Sequence, residues 1–392
     1  MLNVKTIVIL SGFIATGLIG GYFLSPLFGT DSRPEGYHVT EILEEEFFEI
    51  AYAQAPDLGE RKEARVLIVS HHLLAAPFTA AAFEAQAKIK NPQVIIVVGP
   101  DHFDEASHPI ITSRKTWRTP YGFTQANTKL IDSLIAKGLV HEESAPFDEE
   151  HSIGAVVPFI GKTFPNATIV PLIVKDTLSE EVRYAVADFL AQDMYMAVAS
   201  VDFSHYIPEN AAYFHDIKSI DAVSRRAYDE LPDLEVDSPA ALAFAFDFAE
   251  QTATEEFDLY INENSNSFFG YEIPETTSYV IGGFVDAGGG DRVVKNKEKI
   301  TALFFGDTMF DRGVRSKAQE LENSYESIVA NIRGLENRFF RGVDVISLNL
   351  EGVIAPASAP EKTYDFAFDD EIADLLASLQ VDAVTLANNH TR

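Results

Sequence analysis

The chain has 392 residues, 46% hydrophobic and 23% charged, which is the composition of folded protein with room for two or three domains. Its formal net charge of −30 argues against the two partner classes read mainly through basic residues, nucleic acid and anionic lipid surfaces. It contains no cysteine, which excludes disulfides, zinc–thiolate sites and a cysteine nucleophile; a metal would have to be held by His, Asp, Glu, Asn or water.

In chain order, Thr6 through Phe28 carries no charge and follows Lys5. Such a stretch is long enough to cross a hydrocarbon core of about 30 Å as a helix, and its glycines are common in membrane spans. Residues 1–28 read as a retained signal anchor. The rival reading is a cleaved signal peptide, although no A-x-A-like site follows the apolar core. Either places the rest of the chain outside the cytoplasm. Residues 29–60 read as a spacer in which Glu41 to Tyr52 suits a short amphipathic helix.

From 61 to 287 strand and helix patterns alternate. Strands are expected at 65–70, 94–99, 168–174, 195–201 and 277–284, and helices at 79–90, 125–137, 179–192, 214–230 and 239–252. This spacing predicts βαβ units and a largely parallel sheet. A Gly-rich, charged linker occupies 288–299. A new βα pattern fills 300–392, with strands at 300–305, 343–349 and 383–387, a small core that suggests a partial second domain.

Four apolar runs of strand-like character adjoin histidines. Val66–Val69 leads into Ser70-His71-His72, Val94–Val98 into Asp101-His102, and Met196–Val201 into Asp202-Phe203-Ser204-His205; Glu150-His151-Ser152 precedes Val156–Ile160. Open α/β sheets bind ligands beyond the carboxyl ends of their strands, so this layout gathers imidazoles and carboxylates at one rim. Those groups suit first-row divalent metals, whether a two-histidine, one-carboxylate iron centre or catalytic zinc. The neighbouring acids would orient the imidazoles, and Ser152 and Ser204 would donate to a bound oxyanion. A lone histidine at a strand end is ordinarily a satisfied loop residue; four placed alike shift the balance. His108, His141 and His215 lack such context and read as surface or structural, and Trp117 as packing or pocket wall.

Five segments in order resemble the MEMO family (AmmeMemoRadiSam system protein B): Gly99-Pro100-Asp101-His102-Phe103, Trp117-Arg118-Thr119-Pro120-Tyr121-Gly122, Glu150-His151-Ser152 with Val157-Pro158-Phe159, Ile169–Val174, and Ser200–Tyr206. The resemblance covers roughly 61–287. It implies an α/β fold similar to class III extradiol (LigB-type) dioxygenases and a metal, iron or zinc, on His71 or His72 together with His102. Asp202, His205 and His151 would line the same pocket as catalytic groups. The family often carries a further cysteine ligand; the corresponding stretch, Ser267–Pro274, has none, and Glu272 is the candidate substitute.

In the second pattern, Gly306-Asp307-Thr308-Met309, Asn349-Leu350-Glu351-Gly352 and Leu386-Ala387-Asn388-Asn389-His390 resemble the CapA family of capsule or poly-γ-glutamate synthesis proteins, related to metallophosphoesterases. The resemblance implies an unidentified divalent metal near Asp307, Asn349, Glu351, Asn389 and His390, of the kind that clamps a phosphoryl group. The family's later histidine-bearing loops are beyond this stretch.

The expected fold class is therefore α/β: a LigB/MEMO-like domain and the N-terminal part of a metallophosphoesterase-like domain, behind an N-terminal transmembrane helix. The expected function is a membrane-anchored, extracytoplasmic metal-binding protein acting on a small-molecule or envelope-polymer ligand. The other reading is a non-catalytic scaffold module with a degenerate site. An anchored chain is a poor partner for a cytosolic radical enzyme.

Overall fold

The computed structural model describes residues 36–269, 273–288, 299–321, 324–330, 338–354 and 366–390. The apolar segment 1–28 and Glu272 lie outside the described residues. No helix among the described residues is long and apolar enough to cross a membrane. The chain divides into two compact units, Met1–Lys295 and Asn296–Arg392.

The first unit is a three-layer α/β/α fold. In chain order its elements are β1 (Tyr37–Val39), α1 (Glu45–Gln54), β2 (Ala64–Val69), α2 (Ala76–Ala87), β3 (Val94–Pro100), β4 (Ile110–Thr112), β5 (Thr116–Thr119), β6 (Gly122–Thr124), α3 (Thr128–Ala136) and β7 (His141–Glu142). There follow α4 (His151–Gly154), α5 (Val157–Thr163), β8 (Thr168–Val174), α6 (Glu180–Leu190), β9 (Tyr195–Ser200), α7 (Glu209–Arg225), α8 (Pro239–Gln251), β10 (Glu256–Asn264) and β11 (Ser278–Val285). The main sheet runs β10-β11-β2-β9-β3-β8-β4-β7. Its centre, β2-β9-β3-β8, is parallel. Toward the flanks β11 pairs antiparallel with β2 and β10, and β4 antiparallel with β8, while the edge strand β7 is parallel to β4. The sheet is thus mixed rather than largely parallel. The edge strand β10 was not anticipated, because its polar, half-exposed sequence lacks the continuous apolar run of a central strand.

Alternation along the central strands builds two cores. Val66, Ile68, Ile96, Val98, Val170, Ala197 and Ala199 face α3, α6, α7 and α8. Leu67, Val69, Ile95, Val97, Ile169 and Val198 face α1, α2 and α5. Both faces exclude water, so the central strands carry polar side chains only at their ends. Helix starts follow local chemistry. Asn127, Ser179 and Ser238 accept from backbone N–H groups as N-caps of α3, α6 and α8, and Pro239 opens α8. The run Val156–Ile160 is helical rather than strand-like: Pro158 sits in the first turn of α5, where its missing N–H costs nothing.

The second unit holds β12 (Ala302–Thr308), α9 (Gly313–Glu320), α10 (Tyr325–Ile328), β13 (Val345–Leu350), β14 (Val353–Ile354), β15 (Ala367–Phe368), α11 (Glu371–Ser378) and β16 (Ala383–Thr385) among the described residues. Its parallel sheet is ordered β12-β13-β16, and a small core gathers Leu348, Leu350, Phe368, Ile372 and Leu376.

Gly99 at the end of β3 abuts α4. A Cβ there would lie 2.6 Å from Ser152 Oγ and 2.8 Å from Ser152 Cβ, and a short, buried serine has little room to yield. Gly99→Ala is expected to cost about 1–3 kcal/mol, read as a lowered midpoint in thermal denaturation.

Candidate metal centre

The strand order places the site. β2, β9 and β3 are adjacent and parallel, so the residues just past their carboxyl ends share one rim. His71 follows β2, Asp202 and His205 follow β9, and His102 follows β3; α4 adds His151 with Glu150 as its N-cap. Imidazole centroids lie 5.0 Å apart for His71–His102, 5.2 Å for His71–His151 and 4.3 Å for the stacked His102–His151 pair. His71 and Asp202 form a buried floor, while His102 and His151 stand at the mouth with side chains 23% and 36% exposed.

Two hydrogen-bond chains set the imidazole tautomers. Ser200 Oγ donates to the Ser152 carbonyl at 2.5 Å, so it accepts from His71 Nδ1 at 3.2 Å. Glu150 accepts from both the backbone N–H and Nδ1 of His102, at 2.8 Å each, and from Ser152 N at 2.8 Å. Both rings therefore turn Nε2 toward the site, the orientation in which a carboxylate or carbonyl behind a histidine prepares it for a metal.

The residue they converge on is Asp237, which the sequence reading missed. Its Oδ2 lies 3.2 Å from His71 Nε2 and 3.5 Å from His102 Nε2. Asp202 Oδ2 is 3.3 Å from His71 Nε2. Asp237 precedes the N-cap of α8, and its segment is tied to the end of β9: Asp237 N donates to Asp202 O and Asp202 N to Asp237 Oδ2, both at 3.0 Å. The one sequence signal for it was an acid directly before Ser-Pro at a helix start.

His72 points elsewhere, its Nδ1 2.8 Å from the Tyr279 hydroxyl, which resolves the choice between His71 and His72 as the residue facing Asp202 and Asp237. Ser152 Oγ donates to the Pro100 carbonyl at 3.2 Å and is engaged rather than available to an oxyanion. Glu150 orients His102 rather than its neighbour His151, whose Nδ1 is 3.7 Å away. Trp117 is fully buried against His38, at 4.7 Å between centroids, and serves packing.

The electrostatics are polarised. Burial disfavours charge on His71, but Asp202 and Asp237 overcome it and raise its pKa to about 9. Burial likewise opposes charge on His102, and Asp237 and Glu150 carry it to about 10. The reciprocal effect holds Glu150 at about 2 and Asp237 well below the usual carboxylate range, against burial in both cases. His151 drops to about 4, through burial and then the charges on His71 and His102, and burial also lowers His205. Two groups of donor atoms lie close enough together to be candidates for holding a cation: His71, His102 and His151, and His71, Asp202 and Asp237.

In the second unit the anticipated residues also gather at strand ends. Asn349 donates to Asp307 Oδ1 at 2.6 Å and accepts from Asn388 at 3.2 Å, while His390 Nε2 lies 3.3 Å from Glu351 and 2.9 Å from Asn389 Nδ2. No three His, Asp or Glu donors converge there among the described residues.

Residues 37–243 match the Memo-like protein family, slightly more than half of the chain. The chain belongs to that family. Residues 301–392 match the bacterial capsule synthesis protein PGA_cap, so a MEMO domain is followed by a CapA-type domain. Similar curated proteins include MEMO1 family proteins of Caldivirga maquilingensis, 30% identical over 165 residues, of Pyrobaculum arsenaticum, 31% over 177, and of Thermotoga neapolitana, 26% over 167. These alignments cover 40%, 43% and 41% of this chain and 58%, 63% and 60% of those proteins, so the chain spans about three-fifths of the relatives it matches.

Removing Glu150's charge tests the polarised network. Its depressed pKa contributes stability above its ordinary value of 4.5, lost as pH falls toward 2; the raised pKa of His102 contributes below 6.5, lost as pH rises through 10. In metal-free protein Glu150→Gln is expected to cost about 3 kcal/mol near neutral pH and less at both extremes. Thermal denaturation across pH reads this, and an equal loss at every pH would assign Glu150 to packing alone.

Proposed function

We propose that this chain is a metal-binding protein of cell-envelope polymer metabolism, anchored by its N-terminal apolar segment with both domains outside the cytoplasm. The observation that carries the metal reading is the pair of tautomer-fixed imidazoles, His71 and His102, presenting Nε2 to one point beside buried carboxylates. The donor set fits a divalent ion: neutral nitrogen and carboxylate oxygen suit iron or zinc, and Asp237 Oδ1 is buried without a hydrogen-bond partner. His71 and His102 would hold the ion with a carboxylate from the floor. When bound, it supplies Lewis acidity or, if iron, redox chemistry. His151 stays neutral at the mouth and is placed to accept a proton from a ligand; His205 and Asp202 line the wall and floor. The envelope assignment is supported by the capsule-synthesis match of the second unit, with a small molecule or envelope polymer as ligand and another divalent metal near Asp307, Asn349, Glu351, Asn389 and His390.

The scaffold reading has one observation in its favour. Asp202 and Asp237 already neutralise His71 and His102 as ion pairs, so the network is electrostatically compensated without an ion. Metal analysis of the full chain, purified anaerobically in detergent, decides between them. We expect about one iron or zinc per chain in the first unit, lost in His71→Ala and His102→Ala and kept in His72→Ala. A first unit that takes up neither metal on reconstitution would leave the scaffold reading standing.

A further inference from the structure

We propose that Asp237 is the third protein ligand of this centre, standing in for the cysteine this chain lacks, and that the resulting two-histidine, one-carboxylate set selects Fe(II) over Cu(I). The inference rests on the metal-binding reading above and adds the identity of the third donor and the class of metal it favours.

Geometry singles out Asp237. Donors that share one ion at about 2.0–2.2 Å stand about 3.0–3.5 Å from one another. Asp237 Oδ2 meets that condition toward both imidazoles, at 3.2 Å from His71 Nε2 and 3.5 Å from His102 Nε2. Asp202, the other floor carboxylate, approaches His71 alone, and its Oδ1 is already occupied by the Ser70 hydroxyl. Asp237 Oδ1 has no hydrogen-bond partner although the side chain is only 9% exposed. A buried carboxylate oxygen left so is costly unless a cation lies near it.

The backbone keeps Asp237 in place. Its peptide N–H donates to Asp202 O and its Oδ2 accepts from Asp202 N, both at 3.0 Å, the adjoining Val236 bridges to Phe203, and Ser238 accepts from Ala241 N as the cap of α8. A ligand on so fixed a support costs little entropy to recruit. Ligand softness then sets the preference: replacing thiolate sulfur by carboxylate oxygen moves the site away from Cu(I) and toward Fe(II), for which two histidines and one carboxylate are a recurrent set.

The test loads the full chain and its Asp237→Ala, Asp237→Asn and Asp237→Cys variants with Fe(II) or Cu(I) alone, under anaerobic conditions and against a chelator. Co(II) serves as a spectroscopic probe. The wild type should retain Fe(II) and release Cu(I). Asp237→Ala and the isosteric Asp237→Asn should lose Fe(II) affinity by more than the roughly 10–100-fold that removal of an outer hydrogen-bond partner costs. Asp237→Cys should retain Cu(I) and give the Co(II) form a sulfur-to-metal charge-transfer band that the wild type lacks. That gain of signal does not depend on the alanine variant folding. A wild type that holds Fe(II) while both Asp237→Ala and Asp237→Asn hold it equally well, with no charge-transfer band in Asp237→Cys, overturns the assignment and leaves the metal-binding reading intact. A wild type that binds no metal overturns that reading, and the assignment of Asp237 with it.

Discussion

Burial of β2, β9 and β3 on both faces is the constraint from which the rest follows. Strands with apolar helices above and below cannot carry charge along their length, because an unpaired charge in that interior costs several kcal/mol. Polar residues are therefore displaced to the strand ends. Because the three strands are parallel neighbours, their carboxyl ends coincide and the displaced residues become a cluster. The candidate metal centre is thus a consequence of the sheet's order as much as of the histidines themselves. In the second unit Asp307, Asn349 and Asn388 also meet at the carboxyl-end side of β12, β13 and β16, although β12 and β16 are largely exposed and do not share that constraint.

At that rim the protein holds opposite charges in close contact where solvent is largely excluded. Asp202, Asp237 and Glu150 stabilise charge on His71 and His102 more strongly than burial opposes it, while burial and the charges on those two imidazoles keep His151 neutral. Such displaced titrations cluster at functional sites, since neighbouring groups of one kind are driven into different protonation states. A divalent ion would enter by displacing protons from the imidazoles, which ties its binding to pH. The overall charge of −30 acts at longer range, favouring cations over polyanions in the approach to the rim.

Much of this was legible in the residues. Continuous Val, Ile and Leu runs marked β2, β3, β8, β9 and β11 to within a residue or so, because doubly buried strands have no polar face to blur the pattern. The edge strand β10 and the antiparallel pairings toward the flanks were not legible, since a half-exposed strand reads like a loop and pairing direction leaves no local trace. Helix starts at α6 and α8, capped by Ser179 and Ser238, fell within a residue of the expected positions; those of α3, capped by Asn127, and of α2 and α7, which have no side-chain cap, shifted by several residues. Val156–Ile160 read as strand because a short apolar run has no period of its own, and only Pro158 in a first turn hinted at helix.

What the sequence determined by itself is the chemistry on offer: imidazoles and carboxylates in place of thiolates, set beside the ends of buried strands, in motifs similar to two families. The tertiary structure decided which of them meet. It turned His71 inward and His72 toward Tyr279, assigned Glu150 to His102 rather than to adjacent His151, and brought in Asp237 from 35 residues beyond Asp202. The physical reason is that local sequence sets a residue's place along its own element, whereas contact across the rim depends on strand order and on how α8 docks against β9. Both are properties of the whole sheet.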